Sequence, residues 1–132
     1  MSPNYRTCRG CNKTNYLIHF PKGKKNKNGG WYRRHKCREC YNLQKSNHRK
    51  DKRDWFINYK KTLSCSCCGY SKKTHKHFST WALEFHHHDK NKSYNVGNMI
   101  NQGGYALSTI QKEIDKCIIL CCRCHRENHG NF

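Results

Sequence analysis

Acidic side chains are scarce in this 132-residue chain: 8 Asp and Glu stand against 27 Lys and Arg, a formal net charge of +19. Such a balance excludes a neutral housekeeping fold and points to a polyanionic partner. Apolar residues are also few, 34% of the chain, so any core is small. If it is divided into two halves, each falls near the size at which metals or disulfides become necessary. Long apolar runs are missing: the longest, Cys117 to Cys122, is far short of the roughly 20 residues a membrane span requires. No apolar stretch follows the polar segment Met1 to Gly10, so no secretory leader is expected. The expectation is a soluble intracellular protein with no membrane partner.

Cysteine, by contrast, is abundant. There are 11, an odd number that argues against a purely disulfide framework, and in a reducing compartment close pairs read as thiolate metal ligands. Cys8-x2-Cys11 and Cys37-x2-Cys40, separated by a 25-residue spacer, supply the four soft ligands of a closed tetrahedral zinc site. Phe20, Trp31 and Tyr32 lie between the pairs and are expected to pack beside the metal. Lys22 to Gly30 reads as a flexible basic loop or hairpin tip. A second set, Cys65/Cys68 and Cys121/Cys124, keeps the same two-residue gap, with Gly69 placed to make the knuckle turn. Cys67, Cys117 and Cys122 are left as free thiols of the small, buried kind.

The charge is uneven. Residues 1–62 hold 18 basic and 3 acidic side chains, a net of +15, whereas residues 63–132 hold 9 and 5, a net of +4. Lys24, Lys25, Lys27, Arg33, Arg34, Lys45, Arg49 and Arg53 are therefore the candidate phosphate contacts, by charge neutralisation and counterion release. Tyr41 to Leu63 contains neither Gly nor Pro and reads as helix. On it Lys45, Arg49 and Arg53 recur at i+4 as a basic stripe, and Trp55, Phe56, Tyr59 and Leu63 give its end an apolar side. A solvated helical linker is the other reading of that stripe.

Between the halves of the second cysteine set, Trp81 to Phe85 reads as a strand that delivers His86, His87 and His88 at its end. Because a regular strand sends adjacent residues to opposite faces, the histidine pair is expected where the strand breaks into a loop. Ile118 to Leu120 is a second strand candidate. His125 and His129, at i and i+4, share one face of a short helix and suit one metal ion. The connector Lys90 to Asp115 is loop-like in its first part, and Tyr105 to Asp115 has the apolar spacing of a helix. These histidines serve either a catalytic metal centre or a third structural zinc in a non-catalytic DNA- or RNA-binding module.

The stretch Leu83-Glu-Phe-His-His-His-Asp89 and the stretch Glu113 to His129, with Leu120-Cys-Cys-Arg-Cys-His125 inside it, resemble the zinc-bracketed HNH endonucleases. The double C-x2-C module with its basic helix is similar to the module that often precedes such domains in phage enzymes. The resemblance implies a small metal-stabilised α+β protein. Residues 1–44 would be a zinc-ribbon-like module, 45–62 a basic linker helix, and 63–132 a ββα-metal nuclease module. It implies two structural Zn2+ ions and one catalytic divalent cation, Mg2+ first, with Mn2+, Ni2+ or Zn2+ as alternatives. By resemblance, His87 is the general base and His86, His125 and His129 hold that cation; a register one residue later would make His87 the ligand and His88 the base. Double-stranded DNA is the implied partner, and a homodimer is implied where both strands of a palindrome are cut. The implied setting is the cytoplasm of a bacterial or phage-infected cell. One position departs from the family: Lys116 stands where the middle Asn is expected, so the brace of the base must come from elsewhere, with Asn95, Asn98 and Asn101 as candidates.

Overall fold

The structure is a computed structural model and describes residues 4–88 and 94–130. The chain forms two compact units, Met1–His48 and Arg49–Phe132. Asp89, part of the family-like stretch, lies outside the described residues.

In the first unit, β1 (Tyr5–Thr7) and β2 (Thr14–Tyr16) form an antiparallel hairpin, and β3 (Lys22–Lys25) and β4 (Trp31–Arg33) form another. The Cys8–Cys11 knuckle is the turn of the first hairpin. Its backbone closes with the Cys8 N–H on the Lys13 carbonyl at 2.9 Å, and Asn12 takes the left-handed conformation, φ 58°. Gly10 is required by close approach: a Cβ there would lie 2.9 Å from Cys40 Sγ. The basic segment expected to be a flexible loop or hairpin tip is the tip of β3–β4. It is tied down by Asn26 Oδ1, which accepts from the Gly30 N–H at 2.7 Å and the Asn28 N–H at 3.2 Å.

Apolar matter in this unit is minimal. Phe20, fully buried, packs with Cys8, Cys37 and Cys40. Trp31 and Tyr32 do not join it; they are 45% and 63% exposed. The two-stranded hairpin leaves them on its surface, where Trp31 lies under the Lys22 and Lys25 ammonium groups at 5.7 and 5.3 Å.

The helix expected over 45–62 is α1 (Arg38–Lys60), which begins between Cys37 and Cys40. Lys52 and Phe56 are its buried residues, and Lys52 keeps its ammonium satisfied on the Tyr105 carbonyl at 2.8 Å. In the second unit the Cys65–Cys68 knuckle turns at Gly69, which has φ 76° and donates to the Cys65 carbonyl at 2.9 Å. After a 3-10 turn, Thr80–Ala82, β5 (Leu83–His87) pairs antiparallel with β6 (Cys117–Cys121) in a register that sets Leu83 against Cys121 and His87 against Cys117. The strand therefore runs through both histidines rather than ending before them, and its alternation sends His86 and His87 to opposite sides.

Residues 90–93 of the connector lie outside the described residues; from Val96 on it is largely helical despite its glycines. Val96–Asn101 is a helix, α2, capped by Asn95 Oδ1 on the Asn98 N–H. Val96, Met99 and Ile100 lie at i, i+3 and i+4 and are all buried, while Gly97 falls on the exposed side. Helix α3 (Leu107–Ile114) adds Ile110 and Ile114 to the same core, with Phe56 of α1 stacked on Phe85 of β5 at 5.5 Å. Helix α4 (Cys122–His129) follows β6 without a break. Among the cysteines outside the two sets, Cys67 and Cys122 are exposed and Cys117 is half-buried, so the expectation of buried thiols fails. The knuckle turn and the helix start push those two side chains outward. No helix among the described residues is long and apolar enough to cross a membrane.

This core is small enough to be tested at one residue. Ile110→Ala, at a fully buried site, should cost about 2–5 kcal/mol in urea unfolding. Trp31→Ala, on the exposed hairpin, should cost well under that; equal losses would contradict the assignment of the core.

Candidate metal centres and the adjoining cleft

Among the described residues three clusters of ligating side chains form, and each collects the residues that the sequence groups together. Cys8, Cys11, Cys37 and Cys40 make one, Cys65, Cys68, Cys121 and Cys124 the second, and His86, His125 and His129 the third. Within each, one ligand atom per residue lies within 4.8 Å of all the others. Two thiolates on a tetrahedral zinc with bonds of about 2.3 Å sit about 3.8 Å apart. Cys68 Sγ and Cys121 Sγ are 3.7 Å apart. Both four-cysteine sets are thus compatible with structural zinc.

Backbone donors prepare the sulfurs. Cys8 Sγ accepts from the Cys37 N–H at 3.2 Å and the Gly10 N–H at 3.3 Å, and the Cys37 N–H foremost brings the Cys8 thiol down to about 6. Cys65 faces burial, which raises its pKa, but the N–H groups of Cys68, Cys121 and Cys67 outweigh it and hold the thiol at about 6. The opposite partners keep their protons. A sulfur contact with Cys37, then burial, pushes Cys40 up to about 12. At Cys124 the contact with Cys121 lowers the pKa, yet burial and the Cys68 and Cys67 sulfurs push it up to about 11. Each cluster therefore offers one ready thiolate and at least one thiol whose proton a metal must displace.

The imidazole cluster is built from both β5 and α4. His86 lies edge-on to His125 and His129, with ring centroids at 5.0 and 4.7 Å. Nε2 of His125 and Nε2 of His129 face each other at 3.1 Å. Two nitrogens on one cation with bonds of about 2.1 Å stand about 3.0–3.4 Å apart, so the spacing fits a shared ion. The orientation of His125 is fixed from behind: Glu84 Oε2 bonds its Nδ1, a carboxylate–imidazole arrangement that leaves Nε2 able to ligate. Burial first, then the neighbouring His125 and His129, lowers the His86 pKa and favours the neutral ring a ligand needs. Asn128 Nδ2 touches His86 Nε2 at 3.2 Å.

His87 points the other way, its Nε2 against Glu113 Oε1 of α3 at 2.9 Å. It also lines a cleft of about 650 Å³ with Arg53, Lys60, Trp81, Glu84 and His125. Lys60 donates to the Leu83 and Thr80 carbonyls at 2.7 and 3.2 Å, anchoring the start of β5, and burial lowers its pKa. Asn95 lines the cleft as well, but its side chain is the cap of α2; Asn98 and Asn101 are exposed residues of that helix.

The basic candidates divide. Lys24, Lys25 and Lys27 are exposed around the β3–β4 tip, Lys45, Arg49 and Arg53 along α1. Arg34 and Lys45 lie over the Tyr41 ring at 4.6 and 4.7 Å. Arg33 is half-buried and donates to the Phe20 carbonyl at 3.1 Å, so it holds the hairpin onto the core. Sequence reasoning misses a further basic surface: Lys61, Lys72, Lys73 and Lys76 line one open groove with Thr74 and His75. A signal for it is present, since no acid occurs between residues 61 and 80. Glu84 and Glu113 are also missed; Glu113 falls on the apolar face of α3, where a carboxylate needs a partner. Compared with protein families, curated proteins and solved structures, the chain finds no match.

The thiol values set a pH window. Above about 6, Cys8 and Cys65 are thiolates while Cys40 and Cys124 are protonated at neutral pH. Zinc held by the folded chain should be surrendered more readily as pH falls through that value and protons return to Cys8 and Cys65. A chelator competition at about pH 7.5 and about pH 5.5 reads this directly, and equal affinities would contradict it.

Proposed function

We propose that the chain is a metal-dependent endonuclease that hydrolyses phosphodiester bonds of double-stranded DNA, its second unit acting as a ββα-metal module of the HNH kind. The observation that carries this reading is the convergence of His86, His125 and His129 from strand and helix, their nitrogens within 4.8 Å, beside a cleft that also contains His87. These three imidazoles would hold the divalent cation. Nitrogen donors suit Zn2+, Ni2+ or Mn2+; Mg2+ would depend on phosphate and water for its remaining positions. When bound, the cation would polarise the phosphate and stabilise the leaving 3′-oxygen.

His87 is assigned the general base. A neutral imidazole in the cleft takes the proton from a water attacking in line with the leaving oxygen, a task matched to near-neutral pH. Arg53, which lines the cleft, would pair with a phosphate oxygen. Phosphate contacts elsewhere position the duplex without reading sequence, and each unit has its own exposed cations for this. The β3–β4 tip and the first turns of α1 serve the first unit; Arg49, Arg53 and the Lys72–Lys76 loop serve the second. The two four-cysteine sites, with zinc, hold these surfaces in shape.

Three measurements test the reading. His87→Ala should retain its zinc and lower cation-dependent plasmid nicking by roughly 10²-fold or more; undiminished nicking would remove His87 from the chemistry. A metal inventory should find two tightly held zincs and one exchangeable divalent ion, whereas three tight zincs would favour a non-catalytic nucleic-acid-binding module. Replacing Lys72, Lys73 and Lys76 by Gln should flatten the dependence of log K on log salt by about 0.9 for each phosphate that is no longer neutralised. An unchanged slope would take this loop out of the interface.

A further inference from the structure

We infer that Glu113 is the positioning residue of the base: it holds the His87 ring by Nε2 and fixes the tautomer whose free lone pair is on Nδ1. The inference rests on the nuclease reading of His87, and it concerns a residue outside the family-like ligand set.

The geometry begins with a carboxylate in an apolar place. Glu113 lies on the buried face of α3 beside Ile110 and Ile114, with its side chain 4% exposed. A charge there persists only if its oxygens are satisfied. Lys116 Nζ meets Oε2 at 2.9 Å. The Tyr94 N–H donates to Oε1 at 3.2 Å, and His87 Nε2 lies 2.9 Å from that same oxygen. A lysine and a backbone amide only donate, so both oxygens accept, and the tautomer that completes this carboxylate's set of donors carries its hydrogen on His87 Nε2. A neutral imidazole that donates from Nε2 has its acceptor at Nδ1, and no side chain among the described residues takes that nitrogen. The His87 side chain is 10% exposed, and His87 is among the residues that line the cleft with Arg53 and His125.

The same contact explains how the chain tolerates Lys116 where the family places Asn. The main-chain carbonyl of Lys116 faces the His88 N–H at 3.4 Å, while its side chain secures Glu113. The brace is thus divided between the backbone of one residue and the carboxylate three positions earlier. A carboxylate does more than orient the ring. It stabilises the imidazolium formed when Nδ1 takes a proton from water, and the proton leaves to solvent or to the product afterwards.

The test uses the full chain loaded with zinc. Long-range 1H–15N correlation of the histidine rings, with His87 assigned by comparison with His87→Ala, should show the Nε2–H tautomer in the wild type. Glu113→Gln leaves one oxygen to serve Lys116, the Tyr94 N–H and His87 and removes the charge that offsets the imidazolium, so the preference for Nε2–H should weaken. Cleavage should then lose roughly 10²–10⁴ in kcat, with KM and cation affinity at the imidazole cluster held within about twofold. Glu113→Asp keeps the acceptor and should recover part of the loss. An unchanged kcat in Glu113→Gln, or parallel losses in kcat, KM and cation affinity, would overturn the positioning role. If that variant does not fold, the wild-type spectrum decides alone. A wild type that cuts DNA while His87 reads Nδ1–H overturns this inference; one that reads Nε2–H and cuts nothing overturns the nuclease reading.

Discussion

Among the described residues of the first unit, one phenylalanine and the cysteines around it are the buried apolar matter. Phe20 alone, buried at roughly 25 cal/mol per Å², contributes a few kcal/mol, while ordering each residue of a hairpin costs about 1–2 kcal/mol in backbone entropy. Four sulfurs brought within 4.8 Å of one another repel once ionised. With zinc among them, the same four atoms supply on the order of 10 kcal/mol, and the balance turns toward the fold. The remaining features of the unit serve that convergence: the left-handed Asn12, the bare Gly10 against Cys40, and the N–H groups directed at Cys8 Sγ.

The second cluster carries the same constraint into the candidate site. Cys121 ends β6, and its sulfur accepts from the Cys124 N–H as the N-cap of α4. One side chain therefore belongs to the zinc-compatible set, terminates the strand and starts the helix. The helix phase set at that cap decides where His125 and His129 point, and the register of β5 on β6 decides where His86 meets them. A shift of one residue in that register would turn His86 away and bring its neighbours round instead. The precision of the imidazole cluster thus derives from thiols that take no part in it.

Much of this is legible in the sequence because ligand spacing is local and period-dependent. The two four-cysteine sets and the helix face shared by His125 and His129 follow from spacings of three and four residues, and the strand pair from two short apolar runs. What escapes is non-local. Trp31 and Tyr32 are expected at the metal because aromatics near thiols usually pack, yet a two-stranded ribbon has too little surface to cover them. Helix α2 is hidden by Gly97 and by its own shortness, although Val96, Met99 and Ile100 have the helical spacing. His86 and His87 are expected past the end of the strand because one site would need both on one side. Glu113 is invisible for another reason: its partner is 26 residues away in the chain, and only the fold brings α3 under β5.

That last contact changes how the strand should be understood. Because β5 stays regular through His87, its two faces stand in different environments. Glu84 and His86 face the imidazoles of α4, and His87 faces the carboxylate of α3. Each environment pairs an imidazole with a glutamate, Glu84 on His125 and Glu113 on His87. In the proposed nuclease, the first carboxylate would leave Nε2 for a cation and the second would leave Nδ1 for a proton. The two ring nitrogens are thereby given different tasks by which atom each glutamate occupies. A strand with residues alternating across two faces, ordinarily an obstacle to building one site from adjacent histidines, would in that nuclease keep a cation ligand and a base from competing for the same partner.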